Sequence, residues 1–176
     1  MHTIAAMSSP ASAKRIEVIS RALIQVGGFV LLCRDRKGGY CYLPGGHVEP
    51  GEAAADALAR ELNEEAGLHE VRVGPCCLIT EQRFWQNSKP RHELNLVFHV
   101  EHARRADGTT LWEENQTGVG ANTPAPEIPS REDHIEFIWV EAAAIADVDV
   151  RPLTIRAWLM TGSGGLESPA WISHSE

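Results

Sequence analysis

Apolar positions in this 176-residue chain fall into short runs of strand character on either side of one long helical stretch. Ala22 to Cys33 (ALIQVGGFVLLC) reads as a strand interrupted at Gly27-Gly28, a bulge or close backbone approach. A charged turn at Arg34 to Gly39 leads to a second short strand, Tyr40 to Leu43, and Val71 to Thr80 is a third. The alternation is cleanest from Arg91 to His102. There Leu94, Leu96, Phe98 and Val100 alternate with Glu93, Asn95, Val97 and His99, which sets the first group against a core. His134 to Val140 is the last strand. Glu52 to Ala66 has helix formers at nearly every position, and Gly67 stops it as a left-handed cap. Glu141 to Ala146 and Pro152 to Met160 are shorter helical pieces. Strands on both sides of a central helix predict an α/β domain with a mixed sheet covered on both faces. The expected organisation is a flexible leader at 1–16, one domain at 17–160 and a flexible tail at 161–176.

Composition narrows the function classes. The chain is 43% hydrophobic and 23% charged, which excludes low-complexity and wholly disordered readings. Sixteen Lys and Arg against twenty-four Asp and Glu give a net charge of −8. Such a surface repels phosphate backbones and anionic lipid, so neither nucleic acid nor a membrane is an expected partner. Cys33, Cys41, Cys76 and Cys77 form no C-x-x-C pair and sit mostly in apolar runs, which suits a reducing cytoplasm and argues against zinc. No signal peptide and no ~20-residue apolar run is present.

The informative stretch is Gly46 to Leu68 (GHVEPGEAAADALARELNEEAGL). Glu61, Glu64 and Glu65 stand at i, i+3 and i+4, so their carboxylates share a helical face. Like charges so spaced cost ~0.2–0.5 kcal/mol per pair in an isolated helix. A hard divalent cation is a reason to keep all three, since Mg²⁺ is held by a few carboxylates, waters and substrate phosphates. Ala55, Leu58, Ala59, Leu62 and Ala66 form a small apolar face that can lie close against a sheet. Gly45-Gly46 lets the backbone turn and approach a bound phosphate. A bare E-x-x-E-E run is usually only a solvated face; here the spacing of the whole set decides.

Gly46, Glu52, Arg60-Glu61, Glu64-Glu65, Gly67 and Leu68 resemble the signature of the Nudix hydrolases, MutT-like members included, at every specified position. Chance coincidence of the fixed residues is on the order of one in a million. The resemblance implies an α/β/α sandwich that uses Mg²⁺, with Mn²⁺ as a substitute, to hydrolyse the pyrophosphate linkage of a nucleoside diphosphate joined to another group. It implies Glu61, Glu64 and Glu65 as metal ligands, with Glu61 also the general base. Arg60 would orient Glu61, and Glu52 would support the helix start.

Substrate recognition is less legible. In MutT-type members an Arg at the start of a comparable strand faces the nucleotide, so Arg91 is either such a contact or a rim salt bridge. Glu93 and Asn95 are candidates to face a cleft, and Phe84 or Trp85 to stack on a base. Glu132 or Asp133 corresponds to an additional metal ligand or base in some relatives. Phe137 and Trp139 read as core, His47 as a loop histidine, and Tyr40 and Tyr42 receive no role. No S-Q-P-W-P-F-P run of the NADH-specific type occurs. The 107–131 loop reads as a lid or a homodimer contact. Two other readings are a nucleotide-sensing module without turnover and a plain acidic interaction protein; the full carboxylate set argues against both.

Overall fold

The computed structural model describes residues 15–86, 88–113, 126–162 and 170–175. In chain order the strands are β1 (Glu17–Leu23), β2 (Gln25–Val26), β3 (Phe29–Asp35), β4 (Cys41–Tyr42), β5 (Leu68–Gln86), β6 (Lys89–Arg105), β7 (Thr110–Glu113), β8 (Ile135–Glu141) and β9 (Ala170–Ser175). The helices are α1 (Ala54–Ala66) and α2 (Leu153–Met160), with a 3₁₀ segment at Ala142–Asp147. Most of the expected leader, the centre of the long loop and part of the expected tail lie outside the described residues.

Two sheets form. One is mixed, in the order β1-β6-β5-β9 with β7 on the far end of β6; β1 runs parallel to β6, and β9 parallel to β5. The other is antiparallel, with β3 between β8 on one side and β2 and β4 on the other. Alternation along β3 divides the interior. Val30 and Leu32 join Ile155, Trp158 and Leu159 of α2 in one core. Leu31 joins Leu58, Leu62 and Ala66 of α1 in the other. Each helix thus closes one side of the sheets. This is the α/β/α arrangement expected from the sequence, with a second sheet added.

Four details differ from the sequence reading. Gly27 and Gly28, at φ 57° and 87°, form a two-residue turn between β2 and β3, so the expected single strand is folded back on itself. The β5–β6 hairpin is longer than its apolar runs, and Phe84 and Trp85 lie in strand β5 because backbone pairing with Arg91 and Pro90 continues past the core. On β6, Val97 and Asn95 are buried while Leu94 and Leu96 are only half-buried. Phe98 and Val100 pack in the core under α1 as the alternation suggests, while Val97 joins the other core, so β6 is covered on both faces where one was expected. Residues 170–175 (AWISHS), expected in a flexible tail, instead pair with Leu78–Arg83 as an edge strand. Ile172 packs against the core there.

Candidate active site

The outer face of α1 is organised by one arginine. Arg60 Nε and Nη2 donate to the two carboxylate oxygens of Glu52, at 2.9 and 3.1 Å. Its Nη1 donates to Glu61 at 2.8 Å and to Glu64 at 3.2 Å, and Nη2 also reaches the His47 carbonyl at 3.0 Å. Paired carboxylates push the guanidinium well above its ordinary pKa and hold Glu52 below the usual carboxylate range. Glu52 also accepts from the Glu49 amide, so the loop before the helix is tied to the helix face. No side chain caps the helix start at Ala53. Its inner face holds it instead, since Leu58 and Leu62 are fully buried.

The Pro44–His47 segment sits too close to its neighbours for larger residues. A Cβ on Gly45, whose φ is 123°, would fall 2.2 Å from the Ser20 carbonyl oxygen. One on Gly46 would fall 2.3 Å from the Glu61 carboxyl carbon. This contact brings loop backbone against the helix carboxylates, which is where the sequence places a phosphate.

Glu65 is the member of the acidic set that faces inward. Burial and the nearby Glu61 push its pKa up to about 7, opposed by Arg21 and the Gly45 amide. Glu65 Oε2 is buried and has no hydrogen-bond partner among the described residues. Arg21 comes from β1, a position with no signal in the sequence. Its Nη1 donates to the carbonyls of Leu43 and Gly45, at 3.2 and 2.8 Å, its Nε donates to Asn95 at 3.3 Å, and it lies over the Tyr42 ring. Among the described residues no three acidic, histidine or cysteine side chains converge into a chelating group. Arg60 engages Glu61 and Glu64, while the positive charge nearest Glu65 is Arg21, whose own hydrogen bonds go to Asn95 and to backbone carbonyls.

A cavity of about 850 Å³ opens beside Glu65 and is within the range of small-molecule sites. Arg21, Gly45 and Glu93 line one end with Glu65; Tyr40, Tyr42, Gln82, Phe84, Arg151 and Thr154 line the rest. Burial raises the Glu93 pKa, with Arg21 opposing. Of the expected substrate contacts, the structure brings Gly45, Glu93 and Phe84 to the cavity, while Gly46 stands behind it against Glu61. Arg91 does not line it: its Nη1 donates to Glu17 at 2.6 Å, the rim ion pair that was the alternative reading. Trp85 is 70% exposed at the cavity's edge. Glu132 is exposed, and its charge contributes to the raised Glu65 pKa. Phe137 and Trp139 pack against the α1 core, as their alternation suggests. Gln82, Thr154, Tyr40 and Arg151 were not legible as a group, because strand pairing and helix packing bring them together from distant segments.

The family model of the NUDIX domain matches residues 15–158. The chain is 29% identical to the nucleoside triphosphatase NudI of Escherichia fergusonii over 148 residues, 80% of this chain and 92% of that protein. A 43-residue stretch is 54% identical to the human 8-oxo-dGDP phosphatase NUDT18, covering 23% of this chain and only 13% of the human protein. Among solved structures, the MutT protein of Bacillus halodurans superimposes with a TM-score of 0.61 at 15% identity, over 91% of this chain and 88% of its own. A Caenorhabditis elegans Ap4A hydrolase gives 0.54 at 17% identity, over 84% and 96%.

Proposed function

The chain belongs to the Nudix family and is a Nudix hydrolase, and we propose that it cleaves the pyrophosphate linkage of a nucleoside diphosphate joined to another group, a nucleoside triphosphate first of all. The observation that carries this reading is the orphaned, buried Glu65 oxygen beside Glu61, at the end of the cavity that also holds Arg21. A buried carboxylate oxygen with no hydrogen bond is costly, and a divalent cation fits that site by adding positive charge to that of Arg21. Mg²⁺, or Mn²⁺ in its place, would be held by Glu61, Glu64 and Glu65. When bound it would neutralise diphosphate charge and make water a better nucleophile.

The chain's own residues perform the remaining tasks. Arg60 fixes Glu61 by donating to Oε1, so that Glu61 can take a proton from the attacking water. Glu52 anchors Arg60 and the preceding loop. Arg21 offers positive charge to a phosphate oxygen, while Gly45 and Gly46 keep the approach open. Phe84 and Glu93 contact the nucleoside portion. The reading has the protein act on free nucleotides in a cytoplasm, on neither nucleic acid nor membrane. Among the described residues no helix is long and apolar enough to cross a membrane. The 107–131 loop, expected to form a lid or a homodimer contact, has its centre outside the described residues.

The test is hydrolysis of nucleoside triphosphates, ADP-ribose, dinucleoside polyphosphates and sugar nucleotides with Mg²⁺ or Mn²⁺, products resolved by chromatography. Turnover of at least one, abolished by chelator, is expected. Metal-independent turnover, or none across the panel, contradicts the reading.

A further inference from the structure

We propose that Gln82 reads the polar edge of the substrate's base and that Thr154 holds the Gln82 amide in place for it; this rests on the nucleotide reading above and names the residues that choose the base. Gln82 lies in β5 opposite Glu93 of β6, and Thr154 lies in the first turn of α2. Gln82 Nε2 donates to Thr154 Oγ1 at 2.7 Å across 72 residues of sequence, and both side chains are partly buried. Both line the cavity.

The cavity is chemically graded. Its Glu65 end carries Arg21, a charge suited to phosphate oxygens, while Glu93 faces Gln82 across the β5–β6 hairpin. On the α2 side, Arg151 pairs with Asp149 at 2.8 Å and lies over the Tyr40 ring, 4.6 Å from its centroid. Gln82 is neutral, which matches it to an uncharged ring edge rather than a phosphate. A glutamine amide has two donor hydrogens and an acceptor oxygen. One hydrogen goes to Thr154, leaving an N–H and the Oε1 side by side in one plane. A nucleobase edge presents a donor and an acceptor at the same separation. Phe84, two residues along the same strand, lines the cavity too and supplies an apolar surface for the ring. The amide's terminal torsion is broad by itself, so the Thr154 bond fixes the plane in which the pair is presented.

The test uses the full chain with its metal, assayed on GTP and UTP, whose edges carry a carbonyl beside a ring N–H, and on ATP and CTP, whose edges carry an amino group beside a bare ring nitrogen. Gln82→Glu turns the donor into an acceptor at nearly the same shape. Two acceptors then face the base: guanine meets both with its ring N–H and adjacent 2-amino group, whereas adenine, cytosine and uracil each offer one donor beside an acceptor. So kcat/KM for GTP relative to the other three should rise about tenfold, the effect of one hydrogen bond of ~1.4 kcal/mol. The change should fall on KM more than on kcat. Thr154→Val should raise KM several-fold while keeping the wild-type order of bases. Binding of GMP and AMP, read as the rise each produces in melting temperature, provides a second measure without turnover. A GMP shift that grows relative to the AMP shift in Gln82→Glu supports the proposal even if no nucleotide on the panel is hydrolysed. A substrate ratio within twofold of wild type, or GMP and AMP shifts unchanged by the substitution, overturns it even if hydrolysis is robust.

Discussion

The outer face of α1 and the far wall of the cavity are built by opposite means. On the helix face, Arg60 gathers Glu61 and Glu64 from its own helix and Glu52 from the loop just before it, all within eight residues. On the far wall, Gln82 meets Thr154 across 72 residues, and Arg151 lies over Tyr40 because α2 and β4 pack on a common core. The local face concentrates charge and leaves Glu65 Oε2 buried without a hydrogen-bond partner among the described residues. The remote wall is directional, with Gln82 held by Thr154. On the proposed function, the first would carry chemistry that every substrate shares and the second would face features that differ between substrates.

The largest effect should come from the local face. Glu61→Gln should lower kcat by about 10²- to 10⁴-fold, the usual contribution of a positioned proton acceptor. Its melting curve should stay near wild type, because glutamine is almost as good a helix former. Steady-state kinetics beside calorimetry checks both halves. Substitution on the inner side of the same helix should do the reverse. Leu58 is fully buried, so Leu58→Ala should cost about 2–5 kcal/mol in denaturant unfolding, and activity per folded molecule should be retained.

A third effect is visible in pH. The Glu65 pKa is about 7 in the fold against an ordinary 4.5. Between those values the native chain keeps a proton that the unfolded chain has released. The stability from this group is therefore full below about pH 4.5 and lost as pH rises through about 7. Melting of the metal-free protein from pH 4.5 to 8 should show that decline, and Glu65→Gln should flatten it. The smallest effect should be at Arg91. Its ion pair with Glu17 is partly exposed, so Arg91→Ala should cost about 0.2–1 kcal/mol. KM for the nucleotide should change by less than about twofold, and a larger rise would return Arg91 to the binding site.

The same contrast explains what was legible in the sequence. The helix, its left-handed stop at Gly67 and its shared carboxylate face follow from spacing within about twenty residues. Arg21 was not legible: it is a lone basic residue in a β-rich run, and only the pairing of β1 with β6 sets it beside Asn95. The alternation on β6 was legible only in part. Phe98 and Val100 reach the α1 core and Glu93 faces the cleft, but Leu94 and Leu96, core residues by type, stay half-buried, and Val97 is buried on the opposite face. Trp171 and Ile172 lie in a short segment after a Gly-Ser-rich stretch, and the open edge of β5 makes a strand of them.

The most direct test is metal-dependent stability of wild type and Glu65→Gln, measured as melting temperature over a Mg²⁺ titration at pH 7.5. A ligand that binds only the native state adds about 2.7 kcal/mol at a hundred times its Kd. Wild type should rise by several degrees and Glu65→Gln by a small fraction of that, with Mn²⁺ showing the same order. Equal rises in the two proteins, or no rise in wild type, would contradict the placing of the cation on this helix face.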